Sequence, residues 1–183
     1  MSLPTEGRPI ATAVDLDITL RAPVAEDGPA VTALIANCPP LDPNSAYCNL
    51  LQCSHFADTA IAATAADGQL LGFISGYRIP ARPDTLFVWQ VAVSSAARGQ
   101  GLGRRMLRGL IERLHGDGIR FVETTITADN DASWALFRGF ARSVGADIAE
   151  STQFDRERHF NGQHASEQLL RIGPITGPLN APT

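Results

Sequence analysis

The sequence predicts an α/β (α+β) domain, a mixed sheet flanked by helices. Three observations carry that expectation. Asp67-Gly68 separates two apolar segments in the manner of a hairpin turn. Thr85 to Val93 is a nearly continuous apolar strand, of the kind covered on both faces. Leu102, Met106, Leu107, Leu110, Ile111 and Leu114 recur at helical spacing, with Arg104, Arg105, Arg108, Glu112 and Arg113 on the wet side.

The remaining elements fall around these. Ile18 to Arg21 alternates as a short strand, and Glu26-Asp27 opens a helix with Val31, Leu34 and Ile35 on one face, stopped by Pro39-Pro40. Leu41 to Ser45 is turn-forming, and Ser45 caps a second helix through Tyr47, Leu50, Leu51 and Phe56. Strands over 60–65 and 70–77 flank the hairpin turn, and 80–83 is a loop. The helix over 102–115 ends at Gly116 or Gly118. A strand at 119–126, a helix at 131–142 and weaker strands around Gln153 and Leu169 follow. Residues 1–17 and 174–183, rich in Pro, Gly, Thr and Ala, read as flexible tails around one domain at 18–173.

A chain of 183 residues is long enough for one substantial core. The net charge of -4 comes from scattered charges, which argues against a nucleic-acid surface and suits a cationic or amphoteric substrate. Cys38, Cys48 and Cys53 are odd in number and form no C-x-x-C pair, so neither a disulfide framework nor a metal site is expected. No apolar run of membrane-spanning length and no export signal are present, and a cytoplasmic protein with reduced thiols is expected.

The segment Arg98-Gly99-Gln100-Gly101-Leu102-Gly103 lies between the strand ending at Val93 and the helix beginning at Leu102. Glycines let successive N–H groups turn toward an anion, and the helix N-terminus adds partial positive charge, so a diphosphate fits here. A plain strand-to-helix turn has the same composition. A P-loop lacks its Gly-Lys-Ser/Thr, and no Rossmann unit surrounds the loop.

Arg98-x-x-Gly101-x-Gly103 in this setting, with Asn130-x-x-Ser133 after a later strand, resembles the GNAT superfamily of N-acetyltransferases. The resemblance implies a mostly antiparallel sheet of about six to seven strands, splayed at the cofactor site and flanked by about four helices. It further implies acetyl-CoA as co-substrate. Backbone amides from Arg98 to Gly103 would hold the diphosphate, Val91 and Val93 would pair with the pantetheine arm, and Asn130 and Ser133 would lie beside it. Asn130 is equally suited to be a helix N-cap. Phe137 stands where the superfamily commonly places a Tyr that protonates the leaving thiolate, and it reads as a core residue.

Further blocks, Pro39 to Tyr47, Cys53-x-His55-Phe56, Leu71 to Tyr77, Asp84 to Gln90 and Glu123 to Thr127, are similar to the diaminobutyrate acetyltransferases of ectoine formation. That likeness implies acetylation of the 4-amino group of L-2,4-diaminobutyrate, with Asp42, Tyr47, Trp89, His164 and Glu167 binding the substrate. An alkyl ammonium titrates at about 10, so a base must act before attack. Glu167 or Asp42 is the expected acid, and Tyr47 or water the expected donor to the thiolate. The family's His-Glu-x-Glu is reduced here to His164-Ala165-Ser166-Glu167. Asp42 is also a good turn residue before Pro43, and Trp89 a good core residue.

Direct transfer in a ternary complex, with an oxyanion held by a backbone N–H near Val91, is expected over a cysteine route. A GNAT for another small amine or a protein amine, and a silent acyl-CoA-binding module, are the alternatives. A homodimer is the family-based expectation, with no metal, nucleic acid or membrane partner.

Overall fold

A computed structural model describes residues 17–177 and 179. Among them seven strands form one sheet in the order β1-β2-β3-β4-β5-β7-β6: β1 (Ile18–Arg21), β2 (Ile61–Ala65), β3 (Leu70–Ile79), β4 (Arg82–Val93), β5 (Phe121–Thr127), β6 (Ile148–Phe154) and β7 (Glu167–Ile172). Every neighbouring pair is antiparallel except β4–β5. The helices are α1 (Gly28–Ala36), α2 (Ala46–Cys53), α3 (Leu102–His115), α4 (Asp131–Val144) and α5 (Arg156–Phe160). The fifth, five residues long, is too short to leave a periodic signal in the sequence.

Two cores sandwich the sheet. Met106, Leu107, Leu110 and Ile111 of α3 join Phe137 and Phe140 of α4 against Ile74, Leu86 and Val122. On the other side Val31 and Ile35 of α1 pack with Cys53, Phe73 and Ala92. The α3 register follows directly from the sequence: each of its six spaced apolar residues is buried. It stops before Gly118, whose φ of +91° places it in the left-handed region, whereas Gly116 stays helical.

Helix α2 departs from the expected orientation. Ser45 caps it, its hydroxyl accepting from Cys48 N at 3.1 Å, but the helix ends at Cys53 and its inner face is Asn49, Gln52 and Cys53. Tyr47, Leu50 and Phe56 are exposed. Asn49 finds partners there: its Nδ2 donates to Thr32 Oγ1 at 2.9 Å and its Oδ1 accepts from Asn44 Nδ2 at 3.2 Å, whereas Gln52 Oε1 on the same face is buried without a partner among the described residues.

Strand β4 is likewise not covered on both faces, since Trp89 is 48% exposed. At the C-terminal end Ile175 is buried and its N–H donates to Arg120 O at 2.8 Å, so packing continues past the boundary expected at residue 173. The tail expected over 1–17, apart from Asp17, and residues 178 and 180–183 of the tail expected over 174–183 lie outside the described residues.

Candidate active site

The site begins with an irregularity in β4. Ser75 pairs with Gln90, but Gly76 pairs with Val88, so Trp89 is the extra residue of a β-bulge. The parallel ladder between β4 and β5 runs only from Thr85↔Phe121 to Phe87↔Glu123. Just past it Thr124 Oγ1 donates to Val88 O at 3.0 Å, and from there the strands part.

That parting leaves an unpaired backbone edge. Ser94 N donates to Leu71 O of β3, and alternation along the strand turns the N–H and C=O groups of Val91 and Val93 the opposite way, into the gap. Val93 O is already taken by Arg98 Nε at 3.0 Å and Cys38 Sγ at 3.4 Å. The free edge is therefore Val91 N–H, Val91 C=O and Val93 N–H. The Arg98 side chain acts as a clasp on the loop, a role its motif position does not reveal.

The loop itself has the backbone geometry that an anion cradle needs. Gly99 and Gly101 have φ of +76° and +73°, and a Cβ at either would meet nothing within 4 Å. Gly101 is the N-cap of α3 and no side chain caps that helix, so its first-turn amides have no internal partner. Leu102 is buried and anchors the turn, and Gln100 Nε2 donates to Ala96 O at 3.0 Å. Gly99, Gly101 and Leu102, together with Val91, Val93, Asn130, Ser133 and Leu136, line a cleft of about 510 Å3, whereas Gln100 does not. Asn130 caps α4, its Oδ1 accepting from Ser133 N at 3.1 Å. The capping reading of its sequence position is thus what the structure displays.

A second cleft of about 650 Å3 continues from the first through Pro40, Leu41, Val91 and Asn130. Asp42, Trp89, His164 and Glu167 converge on it, from the 41–45 loop, the β4 bulge, the loop before β7 and the first residue of β7. His164 lies against Phe160 with ring centroids 4.7 Å apart, which makes α5 its support. Ser166 Oγ accepts from Arg156 N at 2.9 Å and fixes the start of α5. Tyr47 is not brought in: it is 70% exposed on the outer side of α2 and lines neither cleft. Phe137 is buried, with one edge on the second cleft.

Several residues of the clefts carry no sequence signal of their own. Thr125, Thr127, Asp129 and Asp131 line the second cleft through the strand and turn that hold them. Gln90 also lines the second cleft, and Asn44 lies behind it, its Nδ2 donating to Gln90 Oε1 at 2.8 Å. Cys53 lies away from both clefts, and its burial pushes the thiol up to about 11, so it supplies no thiolate near neutrality. Among the described residues no group of three or more His, Cys, Asp or Glu is placed to hold a metal ion, and no helix is long and apolar enough to cross a membrane.

Residues 31–140 match the acetyltransferase (GNAT) family. The chain belongs to the GNAT family. Within it, the chain is 57% identical over 158 residues to the L-2,4-diaminobutyric acid acetyltransferase of Methylotuvimicrobium alcaliphilum, covering 86% of this chain and 91% of that one. It is 48% identical to that of Bordetella parapertussis, over 87% and 86% of the two chains. Among solved structures, the diaminobutyrate acetyltransferase EctA from Paenibacillus lautus, in complex with its substrate L-2,4-diaminobutyric acid and coenzyme A, superposes with a TM-score of 0.82. The two are 40% identical over 88% of this chain and 98% of that one.

Proposed function

We propose that this protein transfers acetyl from acetyl-CoA to the 4-amino group of L-2,4-diaminobutyrate, giving N4-acetyl-L-2,4-diaminobutyrate for ectoine formation. One observation carries the reading. An unpaired strand edge beside a glycine-rich helix start opens directly into a cleft where Asp42, Glu167, Trp89 and His164 converge, with Asp129 and Asp131 also on its wall. A dicationic, monoanionic substrate calls for such a set: acids for its ammonium groups and polar donors for its carboxylate. The named relatives at 57% and 48% identity support the same assignment.

Acetyl-CoA, when bound, supplies the activated thioester carbonyl. The amides from Arg98 to Gly103 hold its diphosphate, and the free edge at Val91 and Val93 aligns its pantetheine as a neighbouring strand would. Asn130 and Ser133 border the same passage. Asp42 and Glu167 hold the ammonium groups, and one of them takes the proton that frees the amine lone pair. The Val91 N–H, pointing into the gap, donates to the carbonyl oxygen as it gains charge. The C–N bond forms and the C–S bond breaks, the nitrogen gives its second proton to water in the open cleft, and that water returns a proton to the thiolate. Trp89 and His164 shape the pocket around the amine. No step is assigned to Tyr47.

We further propose a cytoplasmic homodimer. The three cysteines are unbridged. Every residue of β6, an outer strand, is exposed, including Ile148 and Phe154. An uncovered edge of that kind is a ready surface for a second copy. Light scattering behind size exclusion should give twice the monomer mass.

The decisive assay incubates the protein with acetyl-CoA and separate diamines while following thiol release. 2,4-Diaminobutyrate should be the preferred acceptor, with NMR of the product placing acetyl on N4. Preference for a peptide amine, or no turnover with any diamine, would overturn the reading.

A further inference from the structure

We propose that Gln90 is a positioning residue that sets the distance between the amine-holding loop and the thioester, and thereby the acceptor length the enzyme selects. The inference rests on the function proposed above. Gln90 is 8% exposed and lies in β4 between the bulged Trp89 and the open edge at Val91. Its side chain leaves the strand and spends both amide atoms on the 41–45 loop. Nε2 donates to Asp42 O at 2.7 Å, and Oε1 accepts from Asn44 Nδ2 at 2.8 Å.

The bonding continues in one direction. The second hydrogen of Asn44 Nδ2 goes to Asn49 Oδ1 at 3.2 Å, Asn49 Nδ2 donates to Thr32 Oγ1 at 2.9 Å, and Thr32 Oγ1 donates to Gly28 O at 2.9 Å. The loop, which has no helix or strand of its own at 41–45, is thus pinned at one end to β4 and at the other to α2 and α1. The carboxylate of Asp42 has no hydrogen-bond partner among the described residues, so its place in the cleft follows from its backbone, and its backbone carbonyl is held by Gln90. One rigid residue therefore links the carboxylate side of the acceptor cleft to the strand that presents the oxyanion donor. A fixed separation favours the amine whose chain length matches it.

Gln90→Glu keeps the acceptor for Asn44 but replaces the donor to Asp42 O, and Gln90→Met removes both bonds at similar volume. In each, KM for diaminobutyrate should rise about tenfold or more while KM for acetyl-CoA stays within about twofold. The preference for diaminobutyrate over ornithine and 2,3-diaminopropionate should shrink by about tenfold. Amide hydrogen exchange at 41–45 should quicken, with α3 unchanged. Unaltered diamine KM and preference in both variants, or equal losses toward diamine and acetyl-CoA, would overturn the proposal. If the wild-type protein does not acetylate diaminobutyrate, the function above fails by itself; the exchange measurement then decides, and unchanged protection at 41–45 rejects the clasp.

Discussion

Arg82 and Glu123, 41 residues apart in sequence, meet through two parallel hydrogen bonds of 2.7 Å at the last β4–β5 pair before the sheet opens. Arg171 of β7 closes on the same carboxylate and lies over the Phe121 ring at 3.8 Å. Glu123 is 1% exposed, so its charge is tolerated only because both guanidinium groups face it. The triad stitches β4, β5 and β7 together where the gap starts.

Glu123→Ala removes the buried charge and leaves two partly exposed guanidinium groups that water can reach, so it should cost about 1–3 kcal/mol in urea unfolding. Arg82→Ala should cost less, because Arg171 remains on the carboxylate and Arg82 is itself half-exposed. Equal losses would mean that the two arginines do not share the charge.

Gly101→Val tests the cradle. A β-branched residue at φ of +73° is strained by about 1–2 kcal/mol, and its side chain would project into the open space proposed above for the diphosphate. Calorimetry should find coenzyme A affinity reduced at least about tenfold, more than the modest thermal shift explains. Wild-type affinity would refute the cradle.

Asp42→Ala and Glu167→Ala should separate acceptor from donor. Loss of a general base or an ammonium partner lowers kcat/KM for the diamine by about a hundredfold or more, while coenzyme A binding is retained. Unchanged kinetics in both variants would remove the two carboxylates from the reaction.

Asp27 gives a pH signature unrelated to catalysis. Hydrogen bonding to Arg21 holds its carboxyl below the ordinary range, and Val24 N adds a further bond at 2.8 Å. A depressed folded pKa contributes stability above the unfolded value, near 3.9, and loses it as the pH falls through the folded value. Asp27→Asn should be less stable than wild type by about 1 kcal/mol between pH 5 and 7, a value kept low because Arg21 is partly exposed. In acid-unfolding curves the gap should begin to narrow below about pH 4 and close only beneath the depressed folded value of Asp27.

The helix α3, the Asp67-Gly68 turn and the cradle were legible because each obeys a local rule: apolar residues at helical spacing, and glycines where φ is positive. The orientation of α2 was not, because Tyr47, Leu50 and Phe56 mark an apolar face that the fold leaves outside. Its inward face is set by Thr32, Asn44 and Gln90, residues from three other segments. The exposure of Trp89 was equally hidden, since a single extra residue in β4 matters only against the register of β3.

The sequence by itself determined the family, the glycine-rich start of α3 and four of the residues that line the second cleft. Local propensity and motif spacing are properties of short segments, and they survive without the fold. Only the tertiary structure decided that Asp42, Trp89, His164 and Glu167 converge while Tyr47 stays out, and that Glu123 is clamped at the mouth of the gap. Those relations join segments dozens of residues apart. They arise where buried polar groups must find partners, and pairing of that kind is chosen by the whole packed chain.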